Sequence, residues 1–305
     1  MQVGKVLHIL NTVEIVSKVS LITVSAGPQK DPIILVSEQS PGDRVQQSEV
    51  SCFPKKDLYH FQIYHQMNGE FTVISLPETS ENFRFVQPIG QNQYLLVRAN
   101  AKSESDKNAH IYNAEGWLVR SFHAGDGIQD VQVTEAGQIW IGFSDEGVFG
   151  DLELGQSGVV CLDEEGHPIF KYDAIAAQNG LLFMDDCYAI NVAAHNEVWF
   201  YYYSDFPLVR LINRRFDCQW RNIPVTGSHG FAATKEQALF AGSYHKRDWL
   251  FLVSLDTMEV KALQPVDSNG KPIAFEAAFG RGSRLYLVTQ RALLALDLNE
   301  TDQPS

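Results

Sequence analysis

Cysteine is scarce in this chain, and dense basic clusters and long apolar runs are missing. Only four cysteines occur among 305 residues, Cys52, Cys161, Cys187 and Cys218, and no two form a CxxC pair. That scatter argues against a disulfide frame or a structural zinc site and fits free thiols in a reducing compartment. No stretch reaches the roughly 20 apolar residues that cross a bilayer. The opening "MQVGKVLHILNTVE" carries too short an apolar run, and no small-residue cleavage pattern, for a signal peptide. A cytoplasmic location with no membrane association is therefore expected. Lys and Arg number 24 against 37 Asp and Glu, a formal net charge of −13. The densest basic points are "PKK" at 54–56 and "RR" at 214–215. Phosphate backbones are held by clustered Lys and Arg, so nucleic acid is not an expected partner. A Gly-rich phosphate cradle leading into a helix is absent, and so is a G-x-S-x-G elbow.

What is present is repetition. Six apolar triplets recur: Ile33-Ile34-Leu35, Tyr94-Leu95-Leu96, Ile139-Trp140-Ile141, Val198-Trp199-Phe200, Leu239-Phe240-Ala241 and Leu285-Tyr286-Leu287. Most follow a short polar turn such as "EAGQ" or "TKEQ", the usual hand-over between antiparallel strands. After each comes an apolar strand that usually ends in Asn or Asp, as in "HIYN", "VVCLD", "VRLIN", "FLVSLD" and "LLALD". Asx side chains bond the backbone of a tight turn, so this slot closes a hairpin into an outer strand. Four short strands in roughly 50 residues, repeated, are the signature of propeller blades.

The reading is therefore a single all-β domain over 1–305, a six-bladed β-propeller of four-stranded antiparallel blades. The blades fall at about 19–80, 81–126, 127–180, 181–226, 227–273 and 274–298. The last unit ends in "LNETDQPS", too polar for an outer strand. A strand within about 3–18, "KVLHIL" or else "VEIVSKV", is expected to pair there and close the ring, hiding a sheet edge.

The stretch "EAGQIWIGF" (135–143) resembles the G-x-(I/L)-W-(I/V)-G blade core of two-component-regulator-type propellers, and "AGDGI" (124–128) is similar to their blade start. More broadly the chain resembles the six-bladed superfamily with sensor, NHL-type and lactonase-type members. That resemblance implies a mouth where the innermost strands begin and where the loops between second and third strands converge. The loops "SDEGVFGDLELGQSG" (144–158) and "EQSPGDRVQQSEVSCFPKKD" (38–57) are enlarged there, and long loops on a rigid scaffold commonly carry binding function. A neutral insertion is the alternative.

Polar residues recur near the starts of the inner strands: Arg84, Asp130, Asp186, His229 and Glu276. Their apolar neighbours suggest that they face the central channel. Asp130, Asp186 and Glu276 are the only candidates for a divalent cation, Ca²⁺ or another. Lactonase-type propellers hold their metal through Glu, Asn and Asp. Here no Asn falls in register and Arg84 repels a cation, so no cofactor is expected. Tyr203, Phe206, Phe149, Tyr244 and His245 are read as an aromatic floor, joined by Arg247, with inter-blade packing preferred for Trp249. Asp126, Asp130, Asp145, Glu146 and Asp151 form an acidic edge with Glu276 across the channel. The expectation is a binding or interaction protein whose small-molecule or peptide ligand carries positive charge. A metal-assisted hydrolase or lactonase is the alternative.

Overall fold

The second strand of each blade explains the architecture. In Ile139-Trp140-Ile141 all three side chains are buried, yet they point alternately to opposite faces. Ile139 and Ile141 pack with Leu95, Val97 and Ile111 of the preceding blade, and Trp140 packs with Ile190, Val192 and Phe200 of the next. A strand covered on both faces reads as a continuous apolar run, and this is what radial stacking of blades requires.

The computed structural model describes residues 6–7, 19–39, 58–194, 196–267, 269–290 and 292–300. A short strand β1 (Val6–Leu7) precedes the first blade, β2 (Val19–Ala26), β3 (Pro32–Gln39), β4 (Tyr59–Met67) and β5 (Glu70–Ser75). The second blade is β6 (Phe85–Ile89), β7 (Gln93–Val97), β8 (Ala109–Asn113) and β9 (Leu118–Phe122). The third is β10 (Ile128–Val133), β11 (Ile139–Phe143), β12 (Val159–Leu162) and β13 (Pro168–Lys171), with a short helix α1 (Asp145–Val148) in the β11–β12 loop. Helix α2 (Tyr172–Asn179) leads to the fourth blade, β14 (Asp186–Ala194), β15 (Glu197–Tyr203), β16 (Leu208–Ile212) and β17 (Arg215–Trp220). The fifth is β18 (Phe231–Ala233), β19 (Gln237–Ala241), β20 (Leu250–Ser254) and β21 (Val260–Leu263), and the sixth β22 (Ala277–Arg281), β23 (Arg284–Val288) and β24 (Leu293–Asp297). Every sheet is antiparallel in chain order from the axis outward, except that β1 supplies the outer strand of the last.

Ring closure is thus the pairing of β1 with β24, Val6 opposite Leu294 and Leu7 opposite Leu293. It falls on the "KVLHIL" candidate; residues 8–18 and the 40–57 insertion lie outside the described residues. Inside the seam, Val24, Ile34 and Val36 pack with Tyr286, Val288 and Leu293. The Tyr286 hydroxyl donates to the Lys30 carbonyl at 2.6 Å, and Asp297 pairs with Lys30 at 4.0 Å and Arg284 at 3.3 Å.

Helix α2 departs from the all-strand expectation. Its Ala-containing sequence has good helix propensity, and it stops at Gly180, whose left-handed backbone (φ 61°) donates its N–H to Ala176. No helix among the described residues is long and apolar enough to cross a membrane.

Candidate functional site

The axis is tied by a relay of side chains bonded to backbone. Ser25 Oγ donates to the Val86 carbonyl at 2.7 Å, joining blade one to blade two. Gln87 Oε1 accepts the Val133 N–H of blade three at 3.2 Å. Gln132 Oε1 accepts the Val192 N–H at 2.9 Å while its Nε2 donates to the Ile190 carbonyl at 2.7 Å, both in blade four. Asn191 Nδ2 donates to the carbonyls of Phe231 (3.0 Å) and Gly282 (2.8 Å), and Oδ1 accepts the Gly282 N–H at 2.6 Å. Arg281 of blade six is only 3% exposed and donates back to Gln132 Oε1 and to the Val133 carbonyl. The sheet registers identify this layer: Gln87, Gln132 and Asn191 each pair with the central residue of a triplet, Leu95, Trp140 and Trp199. Blades one, five and six place Val24, Phe231 and Phe279 there.

A cavity of about 220 Å³ lies on the axis, lined by all six blades; its polar contributors include Gln87, Asp130, Gln132, Tyr188 and His229. Asp130 Oδ2 accepts the Ile190 N–H at 3.0 Å. Burial pushes this carboxyl up to about 6, outweighing the N–H groups of Ile190 and Val131 and the more distant charge of Arg281. No cation forms an ion pair with it among the described residues. At the rim, burial and then the charge of Asp145 push the Asp186 carboxyl to about 6.

A desolvated carboxylate whose hydrogen bonds do not offset its burial lowers stability, and the sign follows from linkage. Between the ordinary value of 3.8 and about 6 the folded protein holds a proton that the unfolded chain has released, so stability falls as pH rises through that window. Asp130→Asn is therefore expected to raise stability at pH 7 by on the order of 1–2 kcal/mol, with the gain fading as pH falls from about 6 to 3.8. Thermal melts from pH 4 to 8 check this; an unchanged or lower melting temperature for the variant at pH 7 contradicts it.

A groove adjoins the cavity on one side. The Tyr188 ring stacks on His229 (centroids 4.5 Å apart, planes 11°), and the hydroxyls of Tyr188 and Tyr244 are hydrogen-bonded. Burial lowers the His229 pKa, favouring the neutral imidazole. His229, Ala277 and Ala278 also line a groove of about 640 Å³ between blades five and six, with Tyr244, Arg247 and Glu276 on its walls. At Gly230 the two blades approach closely along this groove: a β-carbon there would meet the Ala278 carbonyl, so the position requires glycine.

The structure thus places Asp130 in the axial cavity and Tyr244 and Glu276 on the adjoining groove, with His229 lining both, while Asp186, Asp145 and Glu146 lie at the mouth-side ends of β14 and β11. Others fall elsewhere. Arg84 is exposed just before β6 and does not line the axial cavity, because its register lies above the layer that Gln87 occupies. Asp126 Oδ1 accepts the Ala101 N–H at 2.8 Å and braces a loop. Phe206 is buried, not a surface floor: Asp205 and Phe206 adopt left-handed backbone (φ 64° and 50°), and the ring packs on Tyr188, Tyr201, Tyr203 and Tyr244. Phe149 is 73% exposed without ring contacts among the described residues, and His245 is exposed. Trp249 is half-buried beneath the Lys246 ammonium at 4.1 Å.

Asp130, Asp186 and Glu276 do not gather into a ligand set; among the described residues no three His, Cys, Asp or Glu side chains are placed to hold a metal ion. Ser228, adjacent to His229, is buried and donates to the Ala241 carbonyl at 2.7 Å, so its hydroxyl is held by backbone. Sequence reasoning missed the amide relay, Tyr188 and Phe183. Phe183 is 63% exposed just before β14, and with Phe149, Tyr203 and Tyr244 it gives the mouth exposed aromatics from blades three to five and the link between blades three and four. The register of the triplet centres is the signal that marks the relay.

The YxzG family profile matches residues 159–295, from the third strand of blade three into β24, a little under half of the chain. No curated protein matches. Among solved structures, Hsv2 of Kluyveromyces lactis is 9% identical with a TM-score of 0.50, covering 92% of this chain and 73% of that one. A gluconolactonase from Xanthomonas campestris is 10% identical, TM-score 0.48, covering 88% and 90%. The extracellular domain of a hybrid two-component system from B. thetaiotaomicron is 11% identical, TM-score 0.48, covering 93% of this chain and 40% of that one. The likeness is one of fold, and the chain is a six-bladed β-propeller.

Proposed function

We propose that the mouth binds a small molecule or peptide segment that carries a positive charge, with its cationic group in the axial cavity and its body in the groove between blades five and six. The observation that carries this reading is a pair of adjoining cavities: Asp130, a carboxylate without an ion-pair partner among the described residues, lines the axial cavity, and His229, Ala277 and Ala278 line both it and the larger groove beside it. A cation entering there gains a charge-assisted partner and the faces of aromatic rings, whereas an anion meets Asp130, Asp186, Asp145 and Glu276. Binding requires no cofactor. A reducing, cytoplasmic setting accords with the free thiols of Cys161, Cys187 and Cys218.

Calorimetry with benzylamine, agmatine and short lysine peptides, set against benzyl alcohol and acetylated peptides, tests the reading. The amines are expected to bind and the neutral analogues to bind at least about tenfold more weakly, a difference of about 1.4 kcal/mol. Asp130→Asn is expected to remove that preference while leaving the fold intact. Equal binding of neutral and charged probes places the recognition elsewhere.

A further inference from the structure

On the face opposite the mouth, the hairpins of blades three and four enclose a second, smaller cavity of about 90 Å³, lined by Gln138, Trp140, Asn196, Asn213 and Arg214. Each of these side chains can donate a hydrogen bond, and none carries a carboxylate. Two donors are left over. The Trp140 side chain is 1% exposed and its indole N–H has no acceptor. Arg214 forms no ion pair among the described residues, and two acids of the adjoining hairpins have other partners: Asp163 holds His167 at 3.2 Å, and Glu197 lies 3.9 Å from Arg210. The turn that presents Arg214 is fixed in shape, with Asn213 and Arg214 both in left-handed backbone (φ 51° and 58°) and the Asn213 N–H donating to the Asn196 carbonyl at 2.7 Å.

The same fold contains a comparison. Trp199, the equivalent triplet centre in blade four, also has an unpartnered indole N–H, but there an arginine is satisfied internally: Arg210 lies over the Trp199 ring at 5.2 Å and bonds Asp217, with Glu197 nearby. At Trp140 the arginine stands beside a cavity and no carboxylate is supplied.

We propose that the cavity between the blade-three and blade-four hairpins is a binding site for a small oxyanion, inorganic phosphate or sulfate or a carboxylate, held by Arg214 and the amides of Asn196, Asn213 and Gln138 against the Trp140 indole. The site is separate from the mouth in position and opposite to it in charge preference. An anion of this size fits the space, and a guanidinium surrounded by amide donors is suited to oxygen atoms of a planar or tetrahedral anion.

Indole ¹⁵N–¹H spectra of tryptophan-labelled protein test it, with Trp140 assigned by Trp140→Phe or, if that variant does not fold, by elimination through Phe substitutions of Trp117, Trp199, Trp220 and Trp249. Titration with phosphate, sulfate and acetate is expected to move the Trp140 resonance saturably and leave that of Trp117 in place. Arg214→Gln is expected to weaken the effect at least about tenfold and Arg214→Lys less, with melting temperatures unchanged. A stronger response to acetate identifies a carboxylate ligand, and a stronger response to phosphate or sulfate a tetrahedral one. A Trp140 resonance that ignores all three anions, as an indole bonded to an ordered water would, overturns the proposal; so does a response equal in Arg214→Gln.

Discussion

Removal of residues 1–16 is expected to lower the melting temperature by about 6–8 °C, or to leave the protein insoluble. The deletion takes away β1, the outer strand of the sixth sheet, and uncovers the edge of β24 at Leu293 and Leu294. An exposed apolar edge is a template for pairing with other chains. The loss also loosens the seam in which Tyr286 and Leu293 pack on Val24 and Ile34, because the sixth blade is then held on the ring only by its inner strands. A cost of about 4–5 kcal/mol is in keeping with the shift given, since each kcal/mol moves a domain of this size by about 1.5 °C. Circular dichroism melts and size-exclusion chromatography check it. Soluble, cooperative folding at an unchanged melting temperature would mean that the ring does not depend on β1.

Asn191→Ala is expected to be the most damaging single truncation near the axis. Its side chain satisfies three backbone groups at once, the Phe231 carbonyl and both the carbonyl and the N–H of Gly282. Water cannot replace these bonds readily, because Asn191 is fully buried where three blades meet. The Gly282 carbonyl keeps the Ala233 N–H at 3.0 Å, but the Gly282 N–H and the Phe231 carbonyl each lose this partner at roughly 1–3 kcal/mol, so a total of about 2–5 kcal/mol and a fall of about 3–8 °C are expected. The surroundings cannot collapse onto the gap without moving Gly280, where even a β-carbon would meet the Phe231 carbonyl. Chemical denaturation separates outcomes: a lower midpoint is expected, and a midpoint within error of the parent contradicts the role given to the relay.

Much of the fold was legible because radial stacking imposes a pattern that short strands cannot hide. The triplets mark second strands buried on both faces, and the Asx slots in "HIYN" and "VVCLD" mark hairpins into β9 and β13. Which polar residues face the axis was less legible. Arg84 and Asp130 look equivalent in sequence, but their strands start at different heights, and only the pairing of the triplet centres with Gln87 and Gln132 fixes the register. Phe206 reads as an exposed loop aromatic, yet a pair of left-handed residues turns it inward, a choice set by the space beneath Tyr188 and Tyr244 rather than by local sequence. Tyr188 itself sits at a register shift between Cys187 and Ala189, and this irregularity brings its ring onto His229. The blade five–six groove is a space between strands, and a gap has no signature of its own in a sequence.

The account rests most heavily on Asp130 acting as an ionised counter-charge at the floor of the mouth, and the pH dependence of benzylamine affinity measures that property. Calorimetry between pH 4.5 and 8 is expected to give a constant affinity above about pH 7 and a decline approaching tenfold per pH unit below about 6, as the carboxyl takes up the proton that competes with the amine. In Asp130→Asn the affinity is expected to be weaker and flat over the same range. Affinity in the parent protein that does not change between pH 8 and 4.5, or that declines identically in the variant, contradicts the assignment of Asp130 as the cation's partner.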